Sequence, residues 1–335
     1  MLTVRSATRT CVMLCTCLAL AAPVAAQTAH VAVVVGLSGS PEHAELFQRW
    51  ASTLVDGAAR LGVARESIVY LAEKPELDAK RTTGKSTKVE VERGIAALAA
   101  RAKDQDVVFI VLIGHGVFDG KVGKFNMPGP DMAASDFEPL LKGLRAQHVV
   151  FVNTTSSSAP FVAALAGPGR TIVTATRTGS EKFATLFGGY FIDALTGDAA
   201  DADRNRRVSV LEAFDTARRE VVRAYEREGI MLTEHPLLDD SGDREGSTEP
   251  KAAGAKNGRI AAVVSLGSTA SADPLPDDPS LRALSLERRD LERRVEALKL
   301  LKTSMEAARY ESELEKLLTD LARKSKQIRD AGGKL

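Results

Sequence analysis

Beyond residue 17 the chain has no cysteine; Cys11, Cys15 and Cys17 all lie near its start. They fall inside the apolar run CVMLCTCLALAA, preceded by Arg5 and Arg9 and followed by Val24-Ala25-Ala26. A basic start, a short apolar run and small residues at its end are the marks of a secretory signal. The run is too short for a spanning helix, which needs ~20 apolar residues. The cysteines also sit too early for a lipoprotein anchor. Residues 1–26 are therefore expected to be a signal peptide of a periplasmic or secreted protein. Its mature part then has no disulfide framework, no thiolate metal site and no thiol nucleophile.

Charge of one sign is missing as well. The 45 Lys and Arg residues, two of them in the signal segment, face 44 Asp and Glu. That balance gives no footprint for nucleic acid or for a membrane surface. No nucleic-acid partner is expected, and no membrane contact after signal cleavage.

Apolar, β-branched runs occur at 30–36, 67–72, 107–113, 148–153 and 171–176. Each is apolar at consecutive positions, the pattern of strands covered on both faces in a parallel sheet. Between them, helices are predicted at 42–61, 87–103, 136–145, 158–166, 181–196 and 209–227. Thr87 and Glu90 have the spacing of a capping box for the second. This alternation predicts an α/β domain over 27–246, its mostly parallel sheet carrying helices on both faces. Residues 247–278 read as a linker, with one possible extra strand at 259–267. From 279 to 330, Leu284, Leu291, Leu298 and Met305, then Leu314, Leu321 and Ile328, recur every seven residues. The two series meet out of register at a second capping box, Thr303 and Glu306. That predicts an α-helical hairpin or coiled coil, with one stuttering helix as the alternative, and self-association through it as a possible role.

Open parallel sheets gather reactive groups at the carboxyl ends of their strands. Here one strand runs into Gly114-His115-Gly116 and the next into Thr154-Thr155-Ser156-Ser157-Ser158. Flanking glycines leave an imidazole uncovered, whereas a serine-threonine cluster also suits a helix start.

At these segments the chain resembles the legumain-like (hemoglobinase) cysteine peptidases of the caspase-like clan. VLIGHGVFDG matches their histidine motif, and FVNTTSSSAPF sits where their cysteine segment belongs. TIVTATRTGSE, FGGYFIDALTG and EHPLLDDSGD add to the likeness, which covers roughly residues 30–246. The resemblance implies a caspase-hemoglobinase-like fold, with His115 as base and Thr155 at the nucleophile position. A one-residue shift would put Ser156 there instead. Ser38 stands where the family has an asparagine that orients the histidine, and Gly116 and Thr155 would offer N–H groups to an oxyanion. A hydroxyl is far less acidic than a thiol of pKa ~8.5. The expected function is therefore a pseudo-peptidase whose remnant cleft holds a peptide or protein segment. The alternative is an active hydrolase using Thr155 or Ser156 with His115.

Residues 201–212 suggest a second site. Asp201, Asp203, Asn205, Arg207 (through its carbonyl), Ser209 and Glu212 fall at the ligand positions of an EF-hand loop, which makes calcium a candidate cofactor. Arg206 departs from that pattern, because the loop turns there on glycine. Ser209 and Glu212 equally have capping-box spacing. Gly84-Lys85-Ser86 lacks the earlier glycine and the preceding strand of a phosphate-binding loop. His30, His43, His148 and His235 lack partners at metal-ligand spacing and read as structural or exposed.

Overall fold

The computed structural model of the protein describes residues 28–146, 148–267, 276, 278–300 and 305–333. The expected signal segment 1–26 and Thr303 of the expected second capping box lie outside the described residues. Strands β1 (Ala29–Val35), β2 (Ile68–Ala72), β3 (Gly84–Lys85), β4 (Val107–Ile113), β8 (His148–Asn153), β9 (Arg170–Thr174) and β10 (Leu237–Asp239) form one sheet, in the order β10-β9-β8-β4-β1-β2-β3. All neighbours are parallel except β10, which runs antiparallel to β9. A second antiparallel sheet joins β5 (Gly116–Phe118), β6 (Gly123–Phe125) and β7 (Met132–Ala133). Strands this short show no periodicity, so the sequence offered no sign of them.

The consecutive apolar positions have their expected cause. Val107, Phe109, Val111 and Ile113 of β4 enter one core with α1 (Pro41–Arg60), α5 (Phe187–Thr196) and α6 (Val210–Glu228). Val108, Ile110 and Leu112 enter the opposite core with α2 (Lys88–Arg101), α3 (Ala134–Lys142) and α4 (Pro160–Leu165). Removing one such side chain, as in Phe109→Ala, costs about 3–5 kcal/mol.

Local signals were realised unevenly. Ser40 caps α1, its hydroxyl accepting from the His43 N–H at 3.2 Å, with Pro41 in the first turn. Thr87 stands at the N-cap of α2 but makes no side-chain cap bond; its N–H donates to the Lys85 carbonyl at 2.9 Å, and the Glu90 carboxylate pairs with Arg93 at 2.7 Å. The helix expected from 181 begins only at Phe187, since the Glu181 carboxylate instead takes the N–H groups of Arg177 and His235.

The segment 259–267 is not a strand. Asp240 gathers the N–H groups of Gly258, Ile260 and Ala261 at 2.8, 2.7 and 2.8 Å, which coils the chain into turns. Only Ser265 makes a β-bridge, to Ser209, while Ala261, Val264 and Leu266 are buried in the core. The α/β body thus runs to residue 267 rather than ending at 246.

Helices α7 (Pro279–Leu300) and α8 (Ala307–Asp330) form an antiparallel hairpin. Val295 and Leu298 pack against Tyr310 and Leu317, and Lys324 pairs with Glu287 at 2.5 Å. Glu306 is itself the N-cap of α8, accepting from Ala308 and Arg309 at 3.0 and 2.9 Å.

Candidate functional site

Parallel register brings the two suspected segments together. Leu112 of β4 lies opposite Asn153 of β8, so residues 113–116 and 154–156 leave the sheet side by side. Gly116 meets the serine-threonine segment closely. Its N–H approaches Ser156 Oγ at 3.4 Å, and the Ser156 hydroxyl donates to the Gly116 carbonyl at 3.1 Å. A Cβ at Gly116 would lie 2.4 Å from the Ser156 carbonyl oxygen and 2.5 Å from Thr155 Oγ1. Only glycine fits there.

His115 is half-buried and oriented by main chain. Its Nε2 lies 3.1 Å from the carbonyl oxygen of Ser38. A carbonyl accepts only, so Nε2 carries the hydrogen and Nδ1 of the neutral ring presents its lone pair. The orienting group thus comes from Ser38 after all, through its backbone rather than its side chain. The Ser38 hydroxyl and N–H both donate to Glu73 Oε2, at 2.7 and 3.0 Å. Two rings of α1 cover the imidazole, His43 edge-on at 4.7 Å and Phe47 at 5.2 Å between centroids. Burial, and secondarily the charge His43 can carry, lower the His115 pKa below its ordinary value, and the Ser38 bond opposes them. The ring is therefore neutral at pH 7.

The hydroxyl groups are differently placed. Thr155 is fully buried, and its hydroxyl donates to the Ser156 carbonyl at 3.0 Å. Its N–H donates to Asn153 Oδ1 at 3.0 Å, so this half of the expected oxyanion site is already engaged. Ser158 does not start α4; its hydroxyl lies 3.2 Å from Thr176 Oγ1 and accepts the Ala175 and Thr176 N–H groups. Ser157 takes a left-handed φ of 52°, and its buried Oγ has no hydrogen-bond partner.

Glu73, His43 and Phe47 complete the surroundings of His115. The only signal for them was the spacing of His43 and Phe47, four apart on one face of a capped helix. Glu73 follows β2, which the sheet order sets beside β1.

Exposed apolar side chains lie on several of the segments that leave this end of the sheet. Leu37 follows β1, Val117 follows β4, and Phe183 and Leu186 follow β9; all four are exposed, Phe183 at 70%. Helix α5 leads away from this rim and α6 returns to it, bringing exposed Ile230 and Met231. Glu234 ties the two ends together by accepting the Leu186 N–H at 2.8 and 3.0 Å and the Phe187 N–H at 3.1 Å. Burial raises its pKa to about 7 against the pull of those donors.

At the opposite, amino end of the strands lies the 201–212 loop. Carboxylate oxygens of Asp201, Asp203 and Glu212 come within 4.8 Å of one another. Asn205 Oδ1 is turned instead to the Arg207 N–H at 2.9 Å, and Ser209 Oγ caps α6 by accepting from the Glu212 N–H at 3.2 Å. Glu212 returns a bond to the Ser209 N–H at 2.8 Å, so the capping box is complete. Arg206, where glycine was wanted, adopts φ 66°. Three of the six expected donors therefore converge in a set suited to a hard cation. A cavity of about 340 Å³ opens beside this loop, between Arg60, Leu195, Asp201 and Arg207, at the end of the sheet away from His115.

His30 and His148 are buried structural residues, bound to Asp106 at 3.1 Å and to Thr171 at 2.8 Å, and His235 pairs with Glu181 at 3.2 Å. Gly84 and Lys85 belong to an edge strand, not a phosphate loop. Among the described residues, no helix is long and apolar enough to cross a membrane.

Fold and site define an α/β protein with a mostly parallel sheet, helices on both faces, and the His115 imidazole at its carboxyl rim, packed against His43. Neither a protein-family model nor a curated protein matches the chain. Among solved structures it is similar to protein GSU0716 from Geobacter sulfurreducens, at 11% identity and a TM-score of 0.42, over 63% of this chain and 92% of that one.

Proposed function

We propose that this chain is an exported homologue of legumain- and caspase-like peptidases that binds a peptide or protein segment without cleaving it. One observation carries this reading: the hydroxyls of Thr155 and Ser156 are buried and donate to main-chain carbonyls, whereas the His115 ring is bonded to the Ser38 carbonyl and packed on His43 and Phe47. A nucleophile must give its proton to the base during attack, and these hydroxyls point theirs elsewhere. The exposed side chains of Leu37, Val117, Phe183, Leu186, Ile230 and Met231, all on segments at this end of the sheet, support docking of an apolar segment there.

The second reading, a hydrolase with Thr155 or Ser156 as nucleophile and His115 as base, rests on the closeness of Gly116 to both residues. Turnover of fluorogenic peptides by purified protein and by His115→Ala separates the two. Binding without turnover is expected. Turnover abolished in the variant would establish the hydrolase. Calcium at Asp201, Asp203 and Glu212, and self-association through α7 and α8, belong to the same reading as accessory features.

A further inference from the structure

We infer that Glu73 is the positioning residue of the His115 site: acting through Ser38, it holds the imidazole in the Nε2–H form that leaves Nδ1 open to a hydrogen-bond donor. The inference deepens the proposed binding role and rests on it only for the identity of that donor, a group on the bound segment.

The chain of contacts crosses three adjacent strands. Glu73 follows β2, Ser38 follows β1 and His115 follows β4, in the sheet order β4-β1-β2. One carboxylate oxygen, Glu73 Oε2, receives both donors of Ser38, the N–H at 3.0 Å and the hydroxyl at 2.7 Å. Hydrogen bonds to a carboxylate are about twice as strong as neutral ones, and these two hold the Ser38 side chain and the peptide plane that precedes it. The Ser38 carbonyl is then held where it takes the imidazole N–H at 3.1 Å. Residue 39 is a glycine at φ 72°, so the chain turns away at once and leaves that carbonyl directed at the ring.

Among the described residues none is hydrogen-bonded to His115 Nδ1. Thr155 and Ser156 donate to the carbonyls of Ser156 and Gly116. His43 presents its ring to the imidazole edge-on, and its own Nδ1 lies 3.3 Å from Ser40 Oγ. The open valence of the site is therefore one acceptor at a half-buried position. An N–H or O–H of a docked segment satisfies it; a carboxylate oxygen would meet a lone pair.

Imidazole ¹⁵N shifts of unliganded full-length protein at pH 7.5 test this, and they are readable whether or not any peptide binds. In the wild type, His115 is expected to show a protonated Nε2 and an unprotonated Nδ1. Glu73→Ala is expected to lower the Nε2–H to Nδ1–H ratio roughly fivefold, the weight of about one net hydrogen bond. Ser38→Ala, which keeps the main-chain N–H bond to Glu73, is expected to lower it less, and Glu73→Gln, which retains an acceptor, to restore most of the wild-type pattern. An unchanged His115 signature in Ser38→Ala and in folded Glu73→Ala overturns the role; if Glu73→Ala does not fold, an unchanged signature in Ser38→Ala does so alone.

Discussion

Substituting alanine for Gly116 tests the juxtaposition on which the site depends. The added methyl would sit 2.4 Å from the Ser156 carbonyl oxygen, 2.5 Å from Thr155 Oγ1 and 3.2 Å from the Lys124 carbonyl oxygen. Two of these are main chain of neighbouring segments and cannot rotate away. Relief requires β5 to part from the turn after β8, or Thr155 to leave its buried rotamer and its bond to Ser156. Overpacking of this kind costs about 1–3 kcal/mol. At ~2–4 °C per kcal/mol for a body of this size, thermal melting should fall by roughly 2–12 °C. Gly167→Ala is the control, since nothing lies within 4 Å of a Cβ there. Adding Thr155→Ala removes the Oγ1 clash but not the carbonyl clash, so the double variant should recover only part of the loss. Their coupling should exceed the ~0.5 kcal/mol seen for independent sites. Equal melting of wild type and Gly116→Ala would mean that the His115 and Thr155 segments do not meet, and the argument for a shared site would fail.

Acid stability follows from His148, which is buried against Thr171 Oγ1 and has its pKa pushed down by burial from 6.5 to about 4. The unfolded chain binds this proton first, so stability falls as pH drops from ~6.5 to ~4, by about 3 kcal/mol at 1.36 kcal/mol per unit. Urea midpoints across that range should show the loss, with a shallower slope in His148→Gln. At the 201–212 loop, Arg206→Gly removes a positive-φ side chain and should stabilise by about 1 kcal/mol. A calcium-dependent rise in melting temperature should strengthen in that variant and vanish in Asp201→Ala; no calcium response in any of them would leave Ser209 and Glu212 as a helix cap alone. Deleting residues 279–335 should reduce the solution mass to that of a single body if the hairpin joins copies. A fall equal only to the deleted length would remove that role.

Much of the fold was legible because burial leaves a local record. Five runs of consecutive β-branched residues became five parallel strands, since a strand covered on both faces has no polar side to show. The heptad leucines became a hairpin, and the break between their series marked its turn. Capping was less readable. Ser209 and Glu212 made their box, whereas the Thr87 N–H went to the Lys85 carbonyl and Glu90 paired with Arg93. Residues 259–267 look like a strand by composition, but a buried carboxylate about 20 residues earlier, Asp240, claimed the N–H groups at their start. The site was legible only in part, as a histidine between glycines at a strand end.

What the sequence determined alone is the class of elements and the absence of any thiol after residue 17, both of which are properties of side chains in order. What tertiary structure decided is everything that passes through backbone. The Ser38 carbonyl orients His115 where a side chain was expected, and the Ser156 and Gly116 carbonyls take the hydroxyl protons of Thr155 and Ser156. Every residue carries the same carbonyl, so no residue type announces which one will face a ring. Strand order and register choose it.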